Sequence, residues 1–190
     1  MDQHLKETRV DSRTAYDGHF LKVQKDTVSL PDGKLTSREY IRHPGAVVIL
    51  PLFDDGRVLL ERQFRYPLNA VMIEYPAGKI DPDEAPLACA KRELQEETGY
   101  TASSWQFVCT IHNAIAYSDE HLDIYLARGL VAGPSKLDDG EFLETFTATV
   151  PQMLAWVRDG RVTDVKTVIG TFWLQQILAG TWQLGEAKLG

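Results

Sequence analysis

The chain has 190 residues, of which 44% are hydrophobic and 25% charged, and this composition is typical of one globular domain with a short appendage. Twenty Lys and Arg residues against 27 Asp and Glu residues give a formal net charge of −7, which disfavours binding to nucleic acid through its phosphates. The longest apolar stretch, residues 45–53, is far shorter than the ~20 residues of a membrane-spanning helix. We therefore expect no nucleic-acid partner and no membrane partner.

The N-terminal quarter of the chain predicts an antiparallel β-meander. Polar and apolar side chains alternate over residues 20–30, a turn sequence follows at residues 31–34, and residues 36–43 have the composition of a second strand. We expect these strands to form a separate N-terminal region, residues 1–45, in front of a main domain that covers residues 46–190.

The main domain begins with strand patterns. Residues 46–53 form a continuous apolar run, which is typical of a strand buried on both faces. A turn sequence at residues 54–57 separates it from a second strand at residues 58–64. Two further strand-like stretches occupy residues 105–111 and 122–127.

Three helices are predicted in the same domain. The first has Pro86 in its first turn and Gly99 where a left-handed C-terminal cap falls. The other two cover residues 151–158 and 164–178 and are each followed by a glycine. Because strands and helices interleave without a repeat, we expect an α/β or α+β fold with a mixed sheet flanked by helices.

Three glutamates share one narrow face of the first helix. At 100° per residue, Glu96 lies about 60° to one side of Glu93 and Glu97 about 40° to the other. Like charges four residues apart slightly destabilise a helix, whereas clustered carboxylates supply the oxygen ligands that Mg²⁺ requires. Taken alone, the three residues also fit a solvated acidic face.

The surrounding residues resemble the Nudix box, the motif of the Nudix hydrolase superfamily. The matching positions are Gly78, Glu84, Arg92, Glu93, Leu94, Glu96, Glu97, Gly99 and Tyr100. The resemblance implies an α/β/α sandwich, and the Mg²⁺- or Mn²⁺-dependent hydrolysis of a nucleoside diphosphate linked to another group. It implies metal ligands at Glu93, Glu96, Glu97 and the main-chain carbonyl of Ala77. Glu96, Glu97 and Arg92 are also expected to serve catalysis, Arg92 by orienting the glutamates.

The resemblance extends over most of the chain, toward the ADP-ribose pyrophosphatase branch. Residues 74–78 are similar to the Glu-x-Pro-Ala-Gly segment of that branch, and residues 62–67 to its preceding strand. These matches imply a substrate-binding role for Arg65 and a weaker one for Glu74, and a later Ser-x-Glu match adds Glu120. The implied substrate is a small molecule, ADP-ribose or a related nucleoside diphosphate sugar; ADP-ribose would give AMP and ribose 5-phosphate.

That branch also places a general base in an acidic loop well after the box. Here the loop covers residues 137–144, and the resemblance favours Glu141, with Asp139 and Glu144 as the alternatives. A glutamate at this place could take the proton from the attacking water.

Two residues depart from the branch and leave the substrate open. Ile115 stands where these enzymes typically have a proline, and Tyr117 lies near a tyrosine of dinucleoside polyphosphate hydrolases. A hydrolase of GDP-mannose or of dinucleoside polyphosphates is therefore an alternative. A non-catalytic ADP-ribose sensor is an alternative of another class, but it predicts a damaged carboxylate set.

The branch commonly exchanges its N-terminal strands across a two-fold axis. We accordingly expect a homodimer with residues 1–45 at the interface, and Arg38 or Arg42 in reach of a ligand. The only cysteines, Cys89 and Cys109, form no CxxC pair, and the first ten residues are polar, unlike a secretory signal. We expect reduced cysteines and a cytoplasmic protein.

Overall fold

The structure is a computed structural model, and it describes residues 2–137, 140 and 142–185. Its strands are β1 (Thr8–Asp17), β2 (Lys22–Ser29), β3 (Leu35–Arg42), β4 (Ala46–Pro51), β5 (Arg57–Arg65), β6 (Ala70–Glu74), β7 (Ala77–Lys79), β8 (Tyr100–Ile111), β9 (Leu122–Ala132) and β10 (Leu143–Thr149). Its α-helices are α1 (Pro86–Thr98), α2 (Val150–Arg158) and α3 (Val165–Leu178). The chain divides into two compact units, which are Met1–Pro44 with His112–His121, and Gly45–Ile111 with Leu122–Gly190.

The first unit contains a three-stranded antiparallel meander in the order β1-β2-β3. The alternation of polar and apolar residues in β2 buries Asp26 and Val28, whereas all ten residues of β1 are exposed. The predicted N-terminal meander is confirmed, with β1 as an additional outer strand.

The second unit is built around a mixed four-stranded sheet in the order β7-β4-β9-β8. Strand β4 runs parallel to β9, and the other neighbouring pairs are antiparallel. All six residues of β4 are buried, as predicted from its apolar run. Val47 and Ile49 pack on the α1 side with Leu94, whereas Val48 and Leu50 pack on the other side with the side chains of α2 and α3. This layering is the expected α/β/α sandwich.

A second antiparallel sheet of the same unit has the order β10-β5-β6. Its strand β10 corrects the sequence interpretation, which placed Leu143 and Glu144 in the acidic loop. Both residues belong to the strand, where they pair with Gln63 and Arg62 of β5. The reason is that residues 143–149 contain three threonines and Phe146, and β-branched and aromatic residues favour a strand.

Helix α1 begins at Pro86 and ends at Thr98, as predicted. Gly99 has a φ of 75°, and a Cβ atom there would lie 2.4 Å from the carbonyl oxygen of Gly133. Helix α3 is capped by Asp164, whose side chain accepts a hydrogen bond from the Thr167 N–H. In the described part of the chain, no helix combines the length and the apolar character that crossing a bilayer requires.

Candidate active site

Five of the box residues line one cavity of about 280 Å³ between α1 and β7. Its lining residues are Ala77, Gly78, Lys79, Asp81, Arg92, Glu93, Glu96 and Glu97. Strand β7 is held in the sheet by antiparallel pairing with β4, and α1 packs against the same strands through Leu94. The carboxylates and the main chain of β7 therefore stand on two rigid elements that face each other.

Glu97 is the most enclosed of the three acids, with 5% of the residue exposed. Its Oε2 atom accepts a hydrogen bond of 3.1 Å from the main-chain N–H of Ala77. This bond fixes the position of Ala77 relative to α1. The residue whose carbonyl is expected to bind a cation is thus joined directly to an expected carboxylate ligand.

Arg92 connects the remaining glutamates of the box. Its NH1 atom donates to Glu93 at 2.7 Å and to Glu96 at 3.0 Å. Its Nε and NH2 atoms donate to the two carboxylate oxygens of Glu84 at 2.9 and 2.8 Å. These hydrogen bonds lower the pKa of Glu84 to about 2 and raise the pKa of the Arg92 guanidinium.

Gly78 is required by the close approach of Glu93. A Cβ atom at residue 78 would lie 1.8 Å from the carboxyl carbon of Glu93, so that any side chain there would displace this carboxylate. The absence of a side chain at Gly78 therefore gives the carboxylate its place at the cavity wall.

The chemistry of this donor set fits a hard divalent cation. Glu93, Glu96 and Glu97 offer carboxylate oxygens in one cavity, and the carbonyl of Ala77 adds a neutral oxygen. Within the described ranges, no three His, Cys, Asp or Glu side chains meet closely enough to form a metal cage by themselves. Arg92 bonds one oxygen of Glu93 and one of Glu96, and so orients both carboxylates.

A partly buried ion-pair network adjoins the cavity at the ends of β5 and β6. Arg65 donates from Nε to Glu74 Oε1 at 2.6 Å and from NH2 to Glu74 Oε2 at 2.8 Å. Lys166 of α3 donates to the same Glu74 Oε2 atom and, at 3.0 Å, to Asp164. Glu61 of β5 is fully buried and is the cross-strand neighbour of Glu74.

Electrostatics links this network to the cavity. Burial acts to raise the pKa of Glu74, but hydrogen bonds from Arg65 and the charge of Lys166 outweigh burial, so its pKa lies below the usual range. The pKa of Arg65 is raised, chiefly by its hydrogen bonds to Glu74 and further by the charges of Glu61 and Glu97. Arg65 therefore lies close enough to Glu97, one of the cavity carboxylates, to interact with its charge.

The structure brings together seven of the candidate residues in the second unit, namely Arg65, Glu74, Ala77, Arg92, Glu93, Glu96 and Glu97. Glu141 and Asp139 lie outside the described residues. The alternative base Glu144 lies on β10, where it forms an exposed ion pair with Arg62.

Three candidates lie in the first unit, and each has an acidic or basic partner there. Arg38 forms an ion pair with Glu7, and Arg42 bonds Asp119 at 3.0 Å. Glu120 lies 3.7 Å from the Nε2 atom of His43.

Sequence reasoning missed Lys166, Asp164 and Glu61. Lys166 had a usable signal, because it is the only charged residue of the apolar helix α3. Asp164 also had a usable signal, because an aspartate at the start of a predicted helix is a preferred N-cap residue. Glu61 directly follows the apolar run 58–60, and no sequence pattern indicates that its side chain is buried.

Comparisons with known proteins show the family of the chain. Residues 42–168 match the family model described as NUDIX domain, and residues 7–41 match that of the nucleoside diphosphate sugar hydrolase N-terminal domain. The chain is 35% identical over 173 residues to an ADP-ribose pyrophosphatase of Bacillus subtilis (strain 168), covering 90% of this chain and 94% of that protein. It is 33% identical over 177 residues to a methanol dehydrogenase activator of Bacillus methanolicus, covering 92% and 96%.

A solved structure gives the same fold. A crystal structure of an ADP compounds hydrolase superposes with a TM-score of 0.84, covering 92% of this chain and 95% of that one, at 24% sequence identity. The NUDIX match spans more than half of the chain, and three glutamates of its motif, Glu93, Glu96 and Glu97, line a single cavity. The chain belongs to the Nudix hydrolase family.

Proposed function

We propose that the protein hydrolyses the diphosphate bond of ADP-ribose or a closely related nucleoside diphosphate sugar, with Mg²⁺ or Mn²⁺ as cofactor. The observation that carries this proposal is the cavity in which Glu93, Glu96 and Glu97 face β7, with Arg65 near enough to interact with the charge of Glu97. The relative named ADP-ribose pyrophosphatase aligns over nearly its whole length and supports the choice of substrate.

Each group in the site has a proposed task. Glu93, Glu96, Glu97 and the carbonyl of Ala77 would hold the cation, which when bound supplies positive charge for the diphosphate and acidifies water. Arg65 would bind a phosphate through the guanidinium N–H groups that Glu74 does not use. Arg92 would set the orientation of the glutamates. We keep Glu141 as the proposed general base.

Substrate choice is tested by a panel. Purified protein is incubated with ADP-ribose, GDP-mannose and diadenosine polyphosphates in Mg²⁺ or Mn²⁺, and phosphate is measured after phosphatase treatment. We expect ADP-ribose to have the highest kcat/KM, with AMP and ribose 5-phosphate as products. A clear preference for a dinucleoside polyphosphate would support the alternative suggested by Ile115 and Tyr117, and binding without turnover would support a sensor.

We further propose a homodimer formed through residues 1–45. The outer strand β1 is exposed at all ten positions, including Val10 and Tyr16, and such a strand can pair with or pack on a second copy. Arg38 or Arg42 would then reach a ligand. A cytoplasmic location is also proposed, supported by the free cysteines Cys89 and Cys109.

A further inference from the structure

The first turns of α3 hold the segment that joins β6 to the cavity. Thr167 Oγ1 accepts a hydrogen bond of 3.2 Å from the main-chain N–H of Tyr75, and the buried Tyr75 hydroxyl lies 3.3 Å from Thr171 Oγ1. Gly170 lets the helix pack closely at this place, since a Cβ atom there would lie 2.6 Å from a Leu50 methyl carbon and 3.2 Å from the Tyr75 ring. Two residues after Tyr75, the chain reaches Ala77 and the cavity.

Lys166 belongs to the same helical turn and is 9% exposed. A lysine is rarely buried to this degree unless it is paired, and Lys166 is paired with both Glu74 and Asp164. Asp164 also caps the helix by accepting from Thr167. The ammonium group is therefore held in one place by two carboxylates on different elements.

The arrangement places Glu74 between two cations. The Glu74 side chain is only 3% exposed, and both Lys166 and Arg65 donate to its Oε2 atom, whereas the Arg65 side chain is 41% exposed. Without Lys166, Arg65 alone would neutralise a buried carboxylate, which binds a lone counter-ion strongly. With Lys166 present, Glu74 has a second cationic partner, so that less of the Arg65 charge is needed to neutralise it and more can act on a ligand.

We propose that Lys166 is a positioning residue for substrate binding: by neutralising Glu74 from the α3 side, it sets the position of Arg65 and leaves its positive charge available to a diphosphate. This inference rests on the proposed function. It assigns to α3, which contributes nothing to the Nudix box, a part in recognising the substrate.

The inference is tested with α,β-methylene ADP-ribose, which cannot be hydrolysed at the bridging position. Its affinity is measured by calorimetry for wild type, Lys166→Met and Lys166→Gln, without added metal and with Mg²⁺. We expect both variants to weaken binding by about tenfold or more in each condition, to raise the KM for ADP-ribose similarly, and to change kcat less than about threefold. Lys166→Arg keeps the charge and should restore most of the affinity.

Lys34→Met is the matched control, because the side chain of Lys34 is 79% exposed. Among the described residues, its only ion pair is with Asp32 in the same turn. It should bind the analogue as wild type does. Lys166→Gln retains an N–H donor for Glu74 and keeps the test decisive if Lys166→Met does not fold.

A mutant cycle separates positioning from a general structural effect. In an Arg65→Gln background, adding Lys166→Met should weaken binding by less than about twofold, because both changes act through one guanidinium. Independent, multiplying losses would overturn the inference, as would wild-type affinity in both Lys166 variants. If the wild-type protein neither binds the analogue nor cleaves ADP-ribose, the proposed function itself fails, and the inference fails with it.

Discussion

Glu97 has a different hydrogen-bond partner from Glu93 and Glu96. Arg92 bonds Glu93 and Glu96, whereas Glu97 is enclosed and accepts from the main chain of Ala77. Glu97 is therefore the carboxylate whose position is fixed by the sheet, and it is the most direct test of the metal-site assignment.

Glu97→Gln should lower kcat by more than about 100-fold with Mg²⁺ while the far-ultraviolet circular dichroism stays unchanged. The amide can still accept from the Ala77 N–H, so the fold is preserved, but its charge for the cation is lost. Asp159→Asn, at an exposed position after α2, is the control of the same chemistry and should retain wild-type activity. Undiminished turnover in Glu97→Gln would remove this residue from the set of ligands.

Glu84 gives a pH-dependent prediction. Its pKa is about 2 in the folded protein against an ordinary value of 4.5, because of the hydrogen bonds from Arg92. A depressed carboxyl pKa stabilises the fold above the ordinary value, and this contribution is lost as the pH falls from about 4.5 toward 2. Glu84→Gln should therefore reduce the free energy of unfolding by about 1–2 kcal/mol at pH 7, and by less at pH 3.

Urea denaturation at the two pH values measures this difference. Glu144→Gln is the matched control, since it breaks an exposed Glu–Arg pair and should cost at most about 1 kcal/mol at pH 7. An equal loss for Glu84→Gln at both pH values would contradict the linkage.

At the scale of elements, α3 depends on its cap. Asp164 accepts from the Thr167 N–H, from Thr167 Oγ1 at 2.6 Å and from Lys166. Asp164→Ala should lower the free energy of unfolding by about 1–2 kcal/mol, visible as a lower Tm, because a helix cap and a partner of a buried lysine are both lost. Asp164→Asn keeps the cap acceptor and should lie between the alanine variant and wild type. If the alanine variant melts at the wild-type temperature, the cap is not a determinant of stability.

Sequence patterns predicted the helices and strands that have characteristic residues at their ends or a continuous apolar run. Pro86 and Gly99 predicted the two ends of α1, because their backbone preferences suit a helix start and a helix end. The apolar run predicted β4, because a strand buried on both faces is apolar at every position. Strands β6 and β7 escaped prediction. Strand β6 has five residues and β7 has three, which is too few to show an alternation of polar and apolar side chains. They form because β6 pairs with β5 and β7 pairs with β4.

The candidate site was predictable to a similar extent. The box residues were found through their spacing, but the bond between Glu97 and Ala77 joins residues 20 positions apart. The pairing of Lys166 with Glu74 spans 92 positions. Contacts of that length depend on the packing of helices on sheets and leave no local periodicity.

At the scale of the whole molecule, the chain divides into two units whose boundary the sequence predicted only in part. The sequence suggested a boundary near residue 45, and the structure adds His112–His121 to the first unit through the bridge of Ile41 with Ser118. No pattern in residues 112–121 indicates such a return of the chain.

The proposed dimer is tested on the full chain by sedimentation velocity. Wild type should sediment as a dimer at micromolar concentration. Val10→Asp with Tyr16→Asp should shift it toward the monomer, because two charges would be buried at the interface. Thr145→Asp, on the edge strand β10 outside the first unit, is the control and should remain dimeric. A wild-type monomer at all concentrations would refute the dimer.

The hydrogen bond between the Ala77 amide and Glu97 also supplies a built-in spectroscopic probe. If a bound cation is held by Glu97, the nitrogen-bound proton of residue 77 should change in chemical shift and solvent-exchange rate. Heteronuclear NMR of isotope-labelled protein could therefore follow the filling of the cavity without any nucleotide present, and so measure ion affinity apart from turnover.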